Sequence, residues 1–305
     1  MQTFSIVLEQ LIQFGLILMI GMILAKTEVI HEDFLGEFSK IITKCLLPIF
    51  IFYSSYHGNS SEQLIKDMPV LIFATGMYLV LAVIFKILAK GLRLKGEREG
   101  AFQALFVFGN IGFIGIPLIQ TLYQGEGMIY VALFSIVDQL TLWTYGIYLT
   151  DYHSKKINLK NFVNPAVTAV ILAIVCILTG IKLPNVIENT LSTVGRASTA
   201  TCMIYLGALF YFSNVKSVLK EKELYLGILI KMILFPICFG EVLKVFGVVS
   251  DMRGTMILIA GLPTMTVIPM LVKNGGNEGE YATGITMVTL TASLVTLPLI
   301  SLILL

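Results

Sequence analysis

The sequence predicts an all-α integral membrane protein with ten transmembrane helices, arranged as two inverted five-helix repeats whose interrupted helices cross. Three observations lead to this prediction: an apolar composition, ten apolar stretches of membrane-spanning length, and a repeat that relates the two halves. Of the 305 residues, 56% are hydrophobic and 13% are charged, whereas soluble domains average about 25% charged residues. The composition therefore excludes an ordinary soluble domain, and the net charge of +2 gives no reason to expect a nucleic-acid partner.

The ten apolar stretches are each long enough to span a bilayer, which requires roughly 20 residues for a hydrocarbon core of about 30 Å. They lie near residues 4–25, 35–56, 69–90, 100–122, 128–150, 163–182, 190–213, 224–247, 253–274 and 281–304. Lys40 and Lys44 interrupt the second stretch. No basic region precedes the first, so we expect a retained span and not a cleaved signal peptide.

Basic residues in the loops predict the orientation, because cytoplasmic loops carry an excess of lysine and arginine. The odd-numbered loops contain Lys26, Lys90, Arg93, Lys95, Arg98, Lys155, Lys156, Lys160, Lys216, Lys220, Lys222 and Lys273. The opposite side has only Lys66, Lys182, Lys244 and Arg253. We therefore expect a multi-pass protein of the cell membrane with both termini outside.

The two halves resemble each other at a fixed offset of 152 residues. Without a gap, this offset aligns Gly109 with Gly261, Ile116-Pro117 with Ile268-Pro269, and Glu126-Gly127 with Glu278-Gly279. Five spans per half is an odd number, so the halves must cross the membrane in opposite directions, as in many secondary transporters. We therefore divide the chain into a first repeat, residues 1–152, and a second, residues 153–305.

Spans four and nine are predicted to be interrupted at equivalent places. Span four contains Gly109, Gly112, Gly115 and Pro117, and span nine contains Pro263 and Pro269. Proline removes a backbone donor and breaks a helix, and non-helical backbone survives at membrane depth only beside protein or a water-filled cavity. Kinked packing helices are the alternative. Two interruptions in register favour a transport site, in which free amides and helix N-termini meet an anion near the midplane.

Other kinds of chemistry lack a sequence signature. Cys45, Cys176, Cys202 and Cys238 lie inside apolar stretches, at spacings that match neither a zinc site nor a disulfide framework. There is no HExxH motif, P-loop or Ser-His-Asp set at one membrane depth. We therefore expect a protein that is not an enzyme and that has no cofactor or metal.

Three motifs resemble the auxin efflux carrier family, specifically its prokaryotic members of the malate and malonate permease type. They are GNIGFIGIP at residues 109–117, VDQLTLW at residues 137–143, and Leu46-Leu47-Pro48. The resemblance extends over essentially the whole chain, although the central loop, residues 151–162, is shorter than in many plant members. In span nine, Leu262-Pro263 stands where span four has Asn110-Ile111, so a symmetric pair of asparagines is excluded.

The resemblance implies a fold related to bile-acid symporters and sodium/proton antiporters. It further implies scaffold and transport domains that each draw on both repeats, an elevator-type motion and a homodimer. Plant members export the indole acetate anion, and bacterial relatives are associated with malate, malonate and similar carboxylates. The family asparagine beside the crossing corresponds to Asn110, and the family proline to Pro117.

Charged residues inside spans are functional candidates because burying them is costly. Asp138, about 15 Å into span five and beside Gln139, could bind a proton or sodium, or could only hydrogen-bond a broken helix. Lys44 and Arg196 could attract a carboxylate. The alternatives are that Lys44 snorkels to the surface and that Arg196 lies near it. We expect Lys231 to snorkel to the cytoplasmic surface.

Together these features predict a secondary active transporter or uniporter for a small organic carboxylate, embedded in the lipid bilayer. The expected substrate-binding residues are Asn110, Gly112, Gly115, Pro117, Pro263, Thr264 and Thr266, with Asp138 and Gln139 at the ion-coupling position. The alternatives are a sodium/proton antiporter of the same fold and a non-transport membrane receptor. Paired carboxylates at the crossing would favour the antiporter, and an appended soluble domain would favour the receptor. The sequence contains neither feature.

Overall fold

The regular structure of the chain is helical. The computed structural model describes residues 2–57, 60–123, 126–152 and 165–304, and within them the helices are accompanied by one isolated antiparallel bridge, between Gly109 and Thr264. In chain order the α-helices are α1 (Gln2–Lys26), α2 (Phe34–Ile41), α3 (Leu47–Tyr56), α4 (Ser61–Lys66), α5 (Pro69–Gly91), α6 (Glu97–Val107), α7 (Ile116–Leu122), α8 (Glu126–Thr141), α9 (Ile147–Thr150), α10 (Pro165–Thr179), α11 (Asn185–Phe212), α12 (Lys222–Leu229), α13 (Phe235–Val245), α14 (Ser250–Ala260), α15 (Ile268–Gly275) and α16 (Gly279–Leu304).

Short π-helical segments lead into four of these helices. Ile42–Leu46, Leu142–Gly146 and Ile230–Leu234 join α2 to α3, α8 to α9 and α12 to α13, and Ile111–Gly115 precedes α7. Three of the four segments are followed by a proline in the first turn of the next helix. Because each π-helical segment runs directly into the next helix, this proline lies inside a continuous helix, where its missing N–H removes one main-chain hydrogen bond. Each π-helical turn inserts an extra residue, which changes the face on which the following side chains lie.

Among the described residues, five helical stretches are long and apolar enough to cross a membrane: Ser5–Lys26, Pro69–Gly91, Gly127–Thr150, Lys222–Val245 and Gly279–Leu304. Shorter apolar helices occur at Ile111–Leu122 and Pro165–Thr179. The all-helical membrane architecture is thereby confirmed. Helices also occupy the other predicted spans, although the seventh begins earlier than expected, at Asn185. The number of ten crossings and the inverted repeat stay predictions, and Lys155, Lys156 and Lys160 lie outside the described residues.

The helices form two packing groups, which are joined where α1 packs against α16. In the first, α1 packs along α11, and α3 packs against both α10 and α11. Glycine permits the closest of these approaches, because a Cβ atom on Gly207 would overlap the main chain of Leu18 in α1. In the second group, α5 contacts α6 and α8, α13 contacts α14, and α15 contacts α16.

An ionic cluster joins three helix starts within the second group. The Arg98 guanidinium, at the start of α6, lies 2.8 Å from Glu221 Oε2 and 2.9 Å from Glu223 Oε1, which flank the start of α12. It also lies 3.8 Å from Glu278 Oε2, just before α16, and 4.0 Å from the centre of the Tyr281 ring. A guanidinium suits this role because it presents several donors in one plane. The cluster holds α6, α12 and α16 together at one end.

Candidate functional site

The two predicted interruptions meet each other in the structure. Helix α6 ends at Val107 and α14 ends at Ala260, and the extended segments that follow run antiparallel. The main-chain N–H of Asn110 donates a 2.8 Å hydrogen bond to the Pro263 carbonyl, and the main-chain N–H of Met265 donates one of 3.0 Å to the Phe108 carbonyl. These bonds satisfy main-chain groups that have no helical partner, as membrane depth requires.

Helical structure resumes on both sides of this crossing. The Asn110 side chain caps the segment that follows it, since its Oδ1 accepts a 3.2 Å hydrogen bond from the Phe113 amide. From there the helix continues as Ile111–Leu122, and in the second half it resumes at Ile268. The N-terminal ends of both helices therefore lie next to the crossing, where their dipoles favour negative charge.

A small cavity of about 20 Å³, counted as space for the centre of a water-sized sphere, lies at this crossing. That volume holds about one water molecule. Five of the predicted site residues line it: Asn110, Gly112, Asp138, Gln139 and Thr266. The structure thus brings the expected substrate-binding and ion-coupling residues to one place.

The other four expected substrate-binding residues, Gly115, Pro117, Pro263 and Thr264, are buried nearby without being among the cavity's lining residues. Pro263 and Thr264 form part of the crossing itself. Gly115 and Pro117 lie in the helix after it, where a Cβ atom on Gly115 would come within 2.8 Å of a Leu262 methyl group. Gly115 thus permits close packing of the two interrupted segments.

Several polar atoms at the crossing are buried without a hydrogen-bond partner. Within the described residues these include Asn110 Nδ2, Thr264 Oγ1 and Thr266 Oγ1. An unpaired buried donor is costly, and such groups occur where a ligand or water completes the site. The side-chain amide group of Asn110 and the Thr266 hydroxyl both belong to residues that line the cavity. They are available to a hydrogen-bond acceptor such as a carboxylate.

Asp138 is at the centre of a buried hydrogen-bond network. The Tyr78 hydroxyl of α5 donates a hydrogen bond to its Oδ1. Gln139 Nε2 donates one of 3.0 Å to its Oδ2, and Trp143 Nε1 donates one of 3.2 Å to Gln139 Oε1. Asp138 is 1% exposed, so a charged carboxylate here depends on these donors and on nearby positive charge.

The location of the Lys231 side chain differs from the one expected from the sequence. Its side chain does not snorkel to the surface: the residue is 2% exposed, and its Nζ donates a 2.7 Å hydrogen bond to the Ala260 carbonyl. Ala260 is the last residue of α14, so the ammonium group binds a helix C-terminus directly before the crossing. The expectation failed because a π-helical turn, Ile230–Leu234, contains this residue.

Lys44 and Arg196 do not join this site. Both side chains are exposed, and neither lines the cavity. Counted along the helix axis, Lys44 lies about 15 Å from the start of α2, and Arg196 about 16 Å from the start of α11. The two residues are 152 positions apart, which is the offset of the predicted repeat.

Sequence reasoning missed several residues of the site. Tyr78 donates a hydrogen bond to Asp138, and Lys231 donates one to the Ala260 carbonyl beside the crossing. Leu47, Ile51 and Ser135 line the cavity. Lys231 carried a usable signal, because it is the one charged residue of the apolar stretch 224–240 and intramembrane charge marks a site by default. Tyr78 carried none, since it is one of twelve tyrosines.

Comparison with known proteins places the chain in a family. The family model described as membrane transport protein matches residues 6–301. The uncharacterized transporter MJ1031 of Methanocaldococcus jannaschii is 27% identical over 190 residues, which cover 59% of this chain and 61% of that protein. The match thus spans less than two thirds of the archaeal protein. The uncharacterized transporter YfdV of Escherichia coli K12 is 23% identical over 261 residues, 81% of each chain.

These relatives are prokaryotic transporters, and the family match covers nearly the whole chain. The resemblance drawn from the motifs around Asn110, Asp138 and Pro48 is therefore confirmed. The chain belongs to the membrane transport protein family, the family of the auxin efflux carriers.

Proposed function

We propose that this protein is a secondary transporter that moves a small organic carboxylate, an auxin-like monocarboxylate or a malate-like dicarboxylate, across the cell membrane. One observation carries the proposal: Asn110 Nδ2 and Thr266 Oγ1 are buried at the crossing without hydrogen-bond partners. Two helix N-termini lie beside them. Free donors and positive dipole ends are the groups that bind a carboxylate in a protein interior.

Coupling to a cation follows from the charges around Asp138. At about 4 Å, an anionic substrate and a charged Asp138 would repel each other by about 4 kcal/mol in a partly polar interior. A proton or a sodium ion on Asp138 would remove that repulsion and leave the charge of Lys231 in excess. The site would then attract an anion. We therefore assign the coupling role to Asp138, with Gln139 and Tyr78 positioning its carboxylate.

Substrate entry would require the cavity to widen, because its present volume holds about one water molecule. Leu47 and Ile51 of α3 form one side of the cavity and belong to the first packing group, whereas the crossing belongs to the second. Sliding of the second group along the first would open this side. Such a displacement is an elevator-type alternating access, with α1–α3, α10 and α11 as scaffold and the remaining long helices as transport domain.

The packing of the helices supports the proposed inverted repeat of residues 1–152 and 153–305. At an offset of 152, α1 corresponds to α10 and the second span to α11. Since α3 belongs to that second span, the pair α1 and α11 corresponds to the pair α10 and α3. The contacts within these two pairs are among the most extensive between the described helices. The contact of α5 with α6 likewise corresponds to that of α13 with α14.

The proposed assembly is a homodimer, and the basic residues of the scaffold support it. Lys44 and Arg196 are exposed near the middle of their spans, where a charge facing hydrocarbon would be costly. A second copy of the chain, enclosing a hydrated cleft, would cover both residues.

Transport of labelled carboxylates into proteoliposomes tests the proposal. We expect one class of mono- or dicarboxylate to be taken up, with a rate that depends on a proton or sodium gradient. Asp138→Asn should remove that dependence. The size of the cavity supports a second candidate, a sodium/proton antiporter, since an ion fits where a carboxylate does not. Sodium-driven proton flux that occurs without any carboxylate would favour the antiporter and contradict carboxylate transport.

A further inference from the structure

A second cavity, distinct from the crossing site, lies between α1, α11 and α16. Its volume is about 380 Å³. The floor consists of buried side chains, including Leu11, Met203 and Ile114, and the rim of exposed ones, including Met19 and Leu294. Because these helices lie in the membrane, a cleft that opens through an exposed apolar rim opens onto the bilayer.

The chemistry of the walls restricts what can occupy this cavity. Its polar side chains, Thr291 and Ser293, are bonded within their own helix, to the carbonyls of Met287 at 3.0 Å and Leu290 at 2.6 Å. Both hydroxyl hydrogens are therefore used within α16 and the other lining side chains are apolar, so the cavity favours an apolar ligand over a charged one.

We propose that this cavity binds one acyl chain of a membrane lipid. The bilayer supplies the ligand at high local concentration directly at the rim, and burial of methylene groups against the apolar floor provides the binding free energy. The chain would contact Ile114, which lies in the π-helical segment Ile111–Gly115. Gly112 and Phe113 of that same segment line the crossing cavity. The lipid therefore packs behind the substrate site, between the two packing groups.

Gly15 provides a selective way to fill the cavity. It lines the cavity, and a Cβ atom added to it would have no atom within 4 Å. Gly15→Phe should therefore place a ring where the acyl chain lies without moving the backbone. Gly76 is a matched control, because its Cβ atom would also have no atom within 4 Å and it lies on α5, away from the cavity. Gly15→Leu is a smaller second variant, for use if the phenylalanine prevents folding.

The test uses the full protein in liposomes that contain phosphatidylglycerol with a photoreactive diazirine in its acyl chain. After illumination, mass spectrometry locates the labelled residues. We expect labelling of the buried floor, at Leu11 or Met203, in the unmodified protein and in Gly76→Phe, and at least a fivefold loss in Gly15→Phe or Gly15→Leu. Exposed α5 residues, such as Ile72 and Val83, report ordinary lipid contact and should stay labelled in every variant.

Two results would overturn the lipid site. The first is labelling of Ile72 and Val83 without any labelling of the floor, which would mean that lipid does not enter. The second is loss of floor labelling when a carboxylate is added, because the cavity would then belong to the substrate path.

Discussion

The Ser198 hydroxyl donates a 2.9 Å hydrogen bond to the Leu46 carbonyl, and these two residues are 152 positions apart. Under the offset that aligns the two halves, each is the counterpart of the other. A direct contact between counterparts is expected where a two-fold axis passes between them. The crossing has a similar property, since Asn110 bonds to Pro263, one residue beyond its counterpart Leu262. Both contacts support the proposed inverted repeat.

Asp138→Asn should remove the dependence of uptake on pH or sodium while the protein stays folded. The amide keeps the shape of the carboxyl group but cannot change its charge. If protons are the coupling ion, uptake by the unmodified protein should rise as pH falls, because the protonated form of Asp138 admits the anion. The variant should give a flat profile. Tyr78→Phe serves as the control, because it removes one donor, keeps the carboxylate and should retain the dependence. A variant with unchanged coupling would refute the role of Asp138.

Lys231→Met should destabilise the protein by about 1.5–3 kcal/mol, because it removes the buried hydrogen bond that the charged Nζ donates to the Ala260 carbonyl. The double variant Lys231→Met/Asp138→Asn should recover part of the loss, because neither charge then remains buried. Thermal unfolding of the three variants in detergent measures the coupling. Additive losses in the double variant would contradict an interaction between the two residues.

Gly112→Ala should lower transport severalfold and change thermal stability little. The added Cβ atom would lie 3.0 Å from a Leu47 methyl group, which is the flexible end of a side chain. The new methyl group should therefore occupy part of the cavity without displacing the backbone. Leu47→Ala in the same chain should restore part of the uptake. Gly36→Ala is the control, because its Cβ atom would have no atom within 4 Å. Equal losses of transport in both alanine variants would remove the steric explanation.

The predicted orientation can be checked with single cysteines in a chain whose four native cysteines are replaced. We expect Glu62→Cys, in the second loop, to react with a membrane-impermeant maleimide applied to intact cells. Lys95→Cys, in the third loop, should react only after the cells are opened. The opposite pattern would place both termini in the cytoplasm.

The sequence predicted the crossing well because its signals are local and repeated. Glycine and proline break a helix wherever they occur, and the common spacing of Pro117 and Pro269 indicated that the two breaks correspond. Asp138 was identifiable because a carboxylate in an apolar stretch is rare. These three residues indicate the location of the candidate site from the sequence alone.

The remainder of the site depends on side-chain direction, which spacing alone does not reveal. Counting residues placed Lys231 within reach of the surface, but a π-helical turn contains it and the side chain is buried against α14. Conversely, α11 begins early enough to bring Arg196 to mid-depth, yet its side chain is exposed. Both outcomes depend on helix rotation, which is determined by packing between distant parts of the chain.

Ligand-dependent thermal stabilisation of Asn110→Ser tests the central claim most directly. Serine keeps a side-chain oxygen that can cap the helix at Phe113, but it lacks the amide donor Nδ2. We predict that a carboxylate raises the melting temperature of the unmodified protein by mass action. The same carboxylate should give no shift with Asn110→Ser, although the two proteins should melt within a few degrees of each other without ligand. A shift of the same size in both proteins would contradict the assignment of the substrate site to the crossing.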